Sequence, residues 1–418
     1  MLLQNPLCYN PPLLLMMFAG RRRLVDLDRL LNRGVAEVIV REELEQRLLS
    51  GEKLRLKQGF DPSKPDLHIG HAVGLRKLRQ FQELGHTVVL VVGDWTAQIG
   101  DPSGRDESRT MLTREEVLAN ANTYMRQFFK VVDREKTEVR WQSEWYDKFS
   151  LADVFSLTSR FTLGQMMAHE TFRKRYEKGS PVTLMEMMYP LLQAYDSVAI
   201  RADVEFGGMD QKFNNLCGRE LQVAVGQRPQ DVLLVPLLVG TDGRKMSKSF
   251  GNTIDLEDSA DEMYGKVMSL NDAVLFDYFW LVTDVPDAEL DEMKKAITMG
   301  ANPRDFKMRL GREIVAQFHG AEQALRAEQA FVRIFQQQAL PENMPEVAIA
   351  AGTTVIEAIV DAGIARSKSE ARRLIEQGGV YLDGERVSNL EAQVSPQIGG
   401  SVLRVGRRRF ARLFPMGG

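Results

Sequence analysis

From Ile69 onward, Ala72, Leu75, Leu78, Phe81 and Leu84 recur every three residues with polar and basic side chains between them. That spacing predicts an amphipathic helix, and Gly85 is placed to stop it. A short strand is predicted on one side, at 54–59. On the other side, 87–92 has Val-Val-Leu-Val-Val at its centre and reads as a buried strand. Strand, helix and strand at this spacing make a βαβ unit of a parallel sheet. Further strands are predicted at 199–206 and 232–239, and helices at 115–129 and 210–225. The alternation predicts a doubly wound, Rossmann-like α/β domain over residues 24–251. Leu27, Leu30, Leu31 and Val35 share one face and predict a single helix over 26–45.

The pattern then changes. Residues 252–335 carry helical periodicity only, which predicts a separate α-helical domain. Residues 336–352, with Pro341 and Pro345, read as a linker. Residues 353–418 read as a small α+β module with ten basic and seven acidic side chains, a local excess of three positive charges. At the start, an apolar run ending at Gly20 precedes Arg21, Arg22 and Arg23. A secretory signal carries its charges before such a run, and a membrane span needs about 20 apolar residues. Residues 1–23 are therefore expected to be an unstructured extension, and no membrane association is expected.

Composition narrows the class. The 418 residues are 44% hydrophobic and 27% charged, with a net charge of −3. Nothing in that balance announces a nucleic-acid partner, so RNA contacts have to come from a local basic patch. Cys8 and Cys217 are the only cysteines. They form no disulfide framework and fit a reducing cytoplasm.

Two segments carry chemistry. His68-Ile69-Gly70-His71 stands where a loop becomes a helix. A helix N-terminus offers unpaired N–H groups and partial positive charge, which favour phosphate. Gly70 lets a ligand approach the backbone, and two imidazoles can donate to phosphate oxygens as charge builds. A metal pair is the competing reading. His86, His169 and His319 have no ligand-like spacing to these two, so no metal site is expected. The second segment is Gly243 to Gly251, with Lys245, Ser247, Lys248 and Ser249 in a glycine-flanked loop suited to clamping a pyrophosphate. Tyr189, Gln193 and Asp196 fall roughly on one helix face, with Pro190 leaving the register open. Gly207-Gly208-Met209-Asp210-Gln211 opens a later helix, and Asp101 sits in a Gly-Asp-Pro turn.

The two signature segments, in this order, resemble those of class I aminoacyl-tRNA synthetases. With the other segments, residues 24 to 410 resemble the tyrosyl-tRNA synthetases. The resemblance implies a ligase that activates tyrosine with Mg-ATP and loads it onto tRNA, and a homodimer. It implies that Asp101, Tyr189 and Gln193 hold the tyrosine ammonium group, and that Asp196 accepts a hydrogen bond from the phenol. It assigns Asp61, Ser63, His68, Gly70, His71, Asp210, Gln211, Lys245, Ser247 and Lys248 to the nucleotide, with Gln211 also beside tyrosine. Arg105 and Arg109 match a loop assisting phosphate transfer. Lys57 stands where many members carry a tyrosine beside the substrate hydroxyl, and is expected in the tyrosine pocket. The tail, 362–385, resembles the RNA-binding domain type of ribosomal protein S-four. There Arg366, Lys368, Arg372 and Arg373 would meet phosphates, and Ser367 with Glu370 has capping-box spacing. Two rivals stay open: a tryptophanyl sister enzyme, in which Asp196 would accept an indole N–H, and a non-catalytic RNA-binding paralogue.

Overall fold

The computed structural model describes residues 13–18, 21–62, 67–103, 112–246, 250–336, 344–350, 352–396, 400–406 and 409–416. It forms two compact units, 1–321 and 322–418. Ser63, Arg105, Arg109, Ser247 and Lys248 lie outside the described residues.

The first unit is built on a six-stranded sheet: β1 (Glu37–Ile39), β2 (Arg55–Phe60), β3 (Thr87–Val92), β4 (Thr137–Trp141), β5 (Val204–Gly208) and β6 (Asp231–Val235). Their order across the sheet is β1-β6-β5-β2-β3-β4. All neighbours are parallel except β1, which runs antiparallel to β6. The chain moves outward from β2 through β3 to β4, then returns to lay β5 on the other side of β2. That reversal between β2 and β5 is the switch point at which such sheets open a crevice beyond their carboxyl ends. Val88 to Val92 are almost wholly buried, as a strand covered on both faces requires.

Three helices border the crevice: α1 (Ile69–Glu83), α2 (Leu184–Ile200) and α3 (Lys212–Ala224). The apolar row predicted for α1 is its buried face, from Ile69 and Ala72 through Leu75 and Leu78 to Phe81. Pro190 lies inside α2 without ending it, and Thr183 caps that helix by accepting from the Glu186 N–H.

Several boundaries differ from expectation. The helix predicted over 26–45 is two helices, Leu27–Asn32 and Arg41–Ser50, with β1 between them. Gly34 takes φ +69, a left-handed turn that a continuing helix cannot hold, and Val38 and Ile39 pair with β6. The strand expected at 199–206 starts later, because α2 runs on to Ile200. β4 had no counterpart in the reading of the sequence. Within the expected extension, Leu13–Phe18 and Arg21–Asp26 form an antiparallel hairpin of six paired positions, in which the two runs satisfy each other's backbone groups.

The helices after residue 252 belong to the first unit as far as residue 321 instead of standing apart. Arg33 is one reason. Its buried guanidinium donates to the carbonyls of Phe279 (3.2 Å), Trp280 (3.2 Å), Thr283 (2.9 Å) and Val285 (2.5 Å), and to Asp287 (2.6 Å). It thereby caps α4 (Leu275–Val282), satisfying carbonyls that a helix end leaves unpaired. Arg33→Met is expected to lower unfolding free energy by about 3–5 kcal/mol, since several buried carbonyls lose a charged donor. Urea unfolding of the purified protein measures this, and a loss below about 1 kcal/mol would contradict it.

The second unit holds a five-stranded sheet: β7 (Glu346–Ile349), β8 (Val380–Leu382), β9 (Glu385–Arg386), β10 (Ser401–Val405) and β11 (Arg409–Pro415), in the order β9-β8-β10-β11-β7. The segment read as a linker thus supplies β7, which pairs in parallel with β11. Helices α5 (Val355–Asp361) and α6 (Lys368–Glu376) contribute Val355, Ile359, Ala371 and Ile375 to a core shared with Val380, Leu403 and Leu413.

Candidate active site

A cavity of about 450 Å³ opens at the carboxyl ends of β2, β5 and β6. Its lining includes His68 at the N-cap of α1, Gly70 and His71 in its first turn, and Lys245 and Met246 from the distant glycine-flanked loop. The two signature segments are therefore neighbours. Backbone pairing holds them so: the Ile69 N–H donates to Ile254 O at 2.8 Å, and the Leu256 N–H to Leu67 O at 2.9 Å. A Cβ on Gly70 would lie 3.0 Å from His68 Nδ1 and 3.3 Å from Met246 Sδ, so the close approach uses a residue without one.

The two histidines stack obliquely, with ring centroids 4.0 Å apart. His71 Nδ1 accepts the backbone N–H of His68 at 3.2 Å. A backbone N–H only donates, so in the neutral ring the proton sits on Nε2, which becomes a donor. Behind them Tyr124 stacks flat on Phe60, centroids 3.9 Å apart, and meets His71 edge-on.

The other end of the cavity is made by α2. Tyr189, Gln193 and Asp196 all line it, as do Asp61, Asp101, Asp210 and Gln211. Tyr189 donates its hydroxyl to Asp61 at 2.8 Å, and Thr96 donates to the other oxygen of Asp61 at 2.7 Å. Burial, followed by the charges of Asp61 and Asp101, pushes the Tyr189 phenol well up, so it remains a protonated donor. Gln211 donates to Asp101 at 2.6 Å, and the Ser103 N–H closes an Asx turn on the same carboxylate at 2.8 Å. Burial and the charge of Asp101 raise Asp210, and Lys245 pulls the other way.

Asp196 is 2% exposed. It accepts from Gln142 Nε2 at 2.8 Å on one oxygen, and on the other from Trp145 Nε1 at 3.2 Å and the Tyr146 hydroxyl at 3.5 Å. Burial pushes its carboxyl up to about 7, against the Lys57 charge and the Gln142 hydrogen bond. Gln142 and Trp145 were missed by sequence reasoning, as were Thr96, Tyr124 and Glu205. The motif Trp141-Gln142-Ser143-Glu144-Trp145, leaving the unrecognised strand β4, was the available signal.

Lys57 departs from expectation. It does not line the cavity; it is wholly buried beneath α2 and ion-paired to Glu205 at 2.9 Å. Side chains alternate along β2, and position 57 faces α2.

In the second unit, Arg366, Lys368, Arg372 and Arg373 are all exposed on or beside α6. Lys368 pairs with Glu357 at 2.8 Å. Ser367 caps α6 through the Glu370 N–H, while the Glu370 carboxylate reaches the Arg366 N–H instead of that of Ser367. The expected reciprocal contact is shifted by one residue.

Residues 49–336 match the family model of class I tRNA synthetases (W and Y), and 335–412 match that of the tyrosine–tRNA ligase SYY-like C-terminal domain. The tyrosine–tRNA ligase of Dehalococcoides mccartyi (strain CBDB1) is 55% identical over 92% of this chain and 98% of its own. That of Thermotoga maritima is 51% identical over 92% and 96%. The chain belongs to the tyrosyl-tRNA synthetases. It is an aminoacyl-tRNA ligase that activates tyrosine with ATP and charges tRNA. Solved structures carry the fold: a C-terminally truncated mitochondrial tyrosyl-tRNA synthetase of Aspergillus nidulans has a TM-score of 0.62 at 22% identity, covering 74% of this chain and 94% of that one. The Archaeoglobus fulgidus enzyme complexed with L-tyrosine has a TM-score of 0.58 at 24% identity, covering 72% and 98%.

Proposed function

We propose that this one cavity runs both halves of the ligase reaction, with the nucleotide at the α1 end and tyrosine along α2. The observation that carries this is the shared lining of His68, His71 and Lys245 with Tyr189, Gln193 and Asp196. In this reading Asp101, Tyr189 and Gln193 hold the substrate ammonium, and Asp196 accepts the phenol hydroxyl. Asp61, Asp210 and Gln211 hold the adenylate, Asp210 at the ribose. The tyrosine carboxylate attacks the α-phosphorus of Mg-ATP, pyrophosphate leaves, and the tRNA 3′ adenosine then takes the tyrosyl group. No enzyme nucleophile is needed. His68, His71, Lys245 and Lys248 supply charge to the pentavalent phosphorus, and the pocket supplies alignment. Ser63 and Ser247 join the phosphate contacts, and Arg105 and Arg109 assist from the following loop.

The exposed cations of α6 fit the tRNA backbone. A homodimer is supported by apolar side chains left in solvent: Leu151 and Phe155, one turn apart on one helix, with Leu163 and Leu184. Among the described residues no helix is long and apolar enough to cross a membrane. The cytoplasm suits a chain whose described cysteine, Cys217, is free and buried.

The pH dependence of ATP–pyrophosphate exchange tests the tyrosine site. Asp196 must be ionised to serve as the charged acceptor, and its carboxyl lies at about 7 in the free enzyme. Tyrosine kcat/KM is expected to be level above that pH. Below it, kcat/KM should fall about tenfold per pH unit, because the free-enzyme titration governs this parameter. A profile flat from about pH 5.5 to 8.5 would refute the role.

A further inference from the structure

We infer that Lys57 and Glu205 are a positioning pair for tyrosine: together they turn the Gln193 amide so that its oxygen faces the substrate ammonium. The inference rests on the proposed ammonium role of Gln193.

The parallel register sets Lys57 of β2 directly beside Glu205 of β5, at the switch point of the sheet. Both side chains point under α2, and both are at most 1% exposed. The Lys57 ammonium has three protons and three acceptors: Glu205 Oε1 at 2.9 Å, the Gln193 carbonyl at 2.8 Å and Ser197 Oγ at 2.7 Å. Glu205 in turn accepts from Gln193 Nε2 at 3.1 Å, from Ser197 Oγ at 3.3 Å and from Gln230 Nε2. Gln193 is therefore held at both ends, its main chain by the cation and its side-chain nitrogen by the anion, with the Asn215 amide 3.0 Å from the same nitrogen.

The chemistry of the clamp decides what Gln193 can offer. A primary amide presents either a donor or an acceptor, and the two faces are nearly the same shape. A carboxylate only accepts. Glu205 therefore selects the rotamer in which the amide nitrogen faces it and the amide oxygen faces away. The oxygen is the atom that an ammonium needs, because an ammonium only donates. A buried carboxylate alone would be costly, and Lys57 offsets its charge at contact distance. The pair also accounts for a lysine at position 57 that never reaches the substrate: it stabilises the residue that orients the reader.

The test uses full-length enzyme and two ligands that differ only at the ammonium. Tyrosine KM is measured by pyrophosphate exchange, and 3-(4-hydroxyphenyl)propionate, which lacks the amino group, is measured as a competitive inhibitor. Glu205→Gln keeps shape but replaces an acceptor-only partner by one that can also donate, so the amide of Gln193 is no longer held to one face by this position. Tyrosine KM should rise about tenfold with kcat and ATP KM within about twofold, and inhibition by the des-amino analogue should be unchanged. Lys57→Met/Glu205→Gln buries no lone charge and should show the same selectivity, so the inference stays testable if the single variant misfolds. Equal weakening of both ligands, or no loss of tyrosine, would overturn it. Gln193→Ala is the control: if it too fails to separate the ligands, the ammonium role of Gln193 is at fault. If it separates them and the pair variants do not, the pair is at fault.

Discussion

An Asp196→Asn enzyme is expected to lose about one to two powers of ten in kcat/KM for tyrosine, with phenylalanine changed by no more than about threefold. The donors already on this carboxylate separate what the fold loses from what the substrate loses. Gln142 reaches one oxygen and Trp145 the other. Asparagine offers one oxygen and one NH₂, so a donor would then face a donor. Gln142 cannot relieve this by flipping, because its own oxygen accepts the Thr96 N–H at 2.9 Å and the Trp95 N–H at 3.2 Å. The donor left unpaired, at about 1–3 kcal/mol, is a loss of stability that free and bound enzyme share, and it drops out of kcat/KM. What tyrosine loses is a charged acceptor worth about 1.5–3 kcal/mol, or about 10–10² at 1.4 kcal/mol per tenfold. Phenylalanine never used the acceptor and loses little. Tyrosyl-tRNA synthetases are themselves the standard case of such selection, with a family figure of about 10⁵ against phenylalanine. The variant should therefore discriminate by only about 10³–10⁴. Pyrophosphate exchange with both amino acids reads this directly, and parallel losses for the two would show that Asp196 supports the fold and not the choice of substrate.

Asp196 was singled out because it falls, with Tyr189 and Gln193, roughly on one helix face, and the family resemblance supplied its role. Its supporting shell was not. Gln142 and Trp145 follow β4, an edge strand whose Thr-Glu-Val-Arg-Trp sequence is only partly buried along its length. Such a strand has no continuous apolar run to announce it, so the residues after it had no address. The helix α1 was clear because one face is buried throughout, and its three-residue period survives in the sequence. Lys57 shows a different limit. Alternation along β2 says which residues share a face, and it cannot say that Glu205 waits opposite in register, 148 positions on. The sequence reading therefore sent a buried structural cation to the substrate. The break at Gly34 was hidden because Leu27, Leu30 and Leu31 are buried whether or not the helix continues. The joining of 252–321 to the first unit depends on contacts such as Arg33 to Thr283, which no local pattern encodes.

His71→Ala is expected to slow tyrosyl-adenylate formation by about 10²–10³ while leaving tyrosine affinity within about twofold. The expectation comes from where the ring is held and which nitrogen carries the proton. His71 lies in the first turn of α1, where helix N–H groups and the helix dipole already favour phosphate. Its Nδ1 is committed to the His68 N–H, so Nε2 is the donor available to the cavity. A donor fixed before the reaction costs no reorganisation when negative charge builds on the pentavalent phosphorus, and removing one such donor typically costs this much in rate. Tyrosine lies at the α2 end in the proposed reading, so its ground-state affinity should not sense the change. Lys248→Ala, in the glycine-flanked loop, is expected to behave alike, since in the proposed reading its charge acts on the phosphates and not on tyrosine. Single-turnover adenylate formation and equilibrium tyrosine binding, measured on the same preparations, separate the two quantities. Equal losses in both would mean that these residues hold the cavity open and do not act on the phosphate.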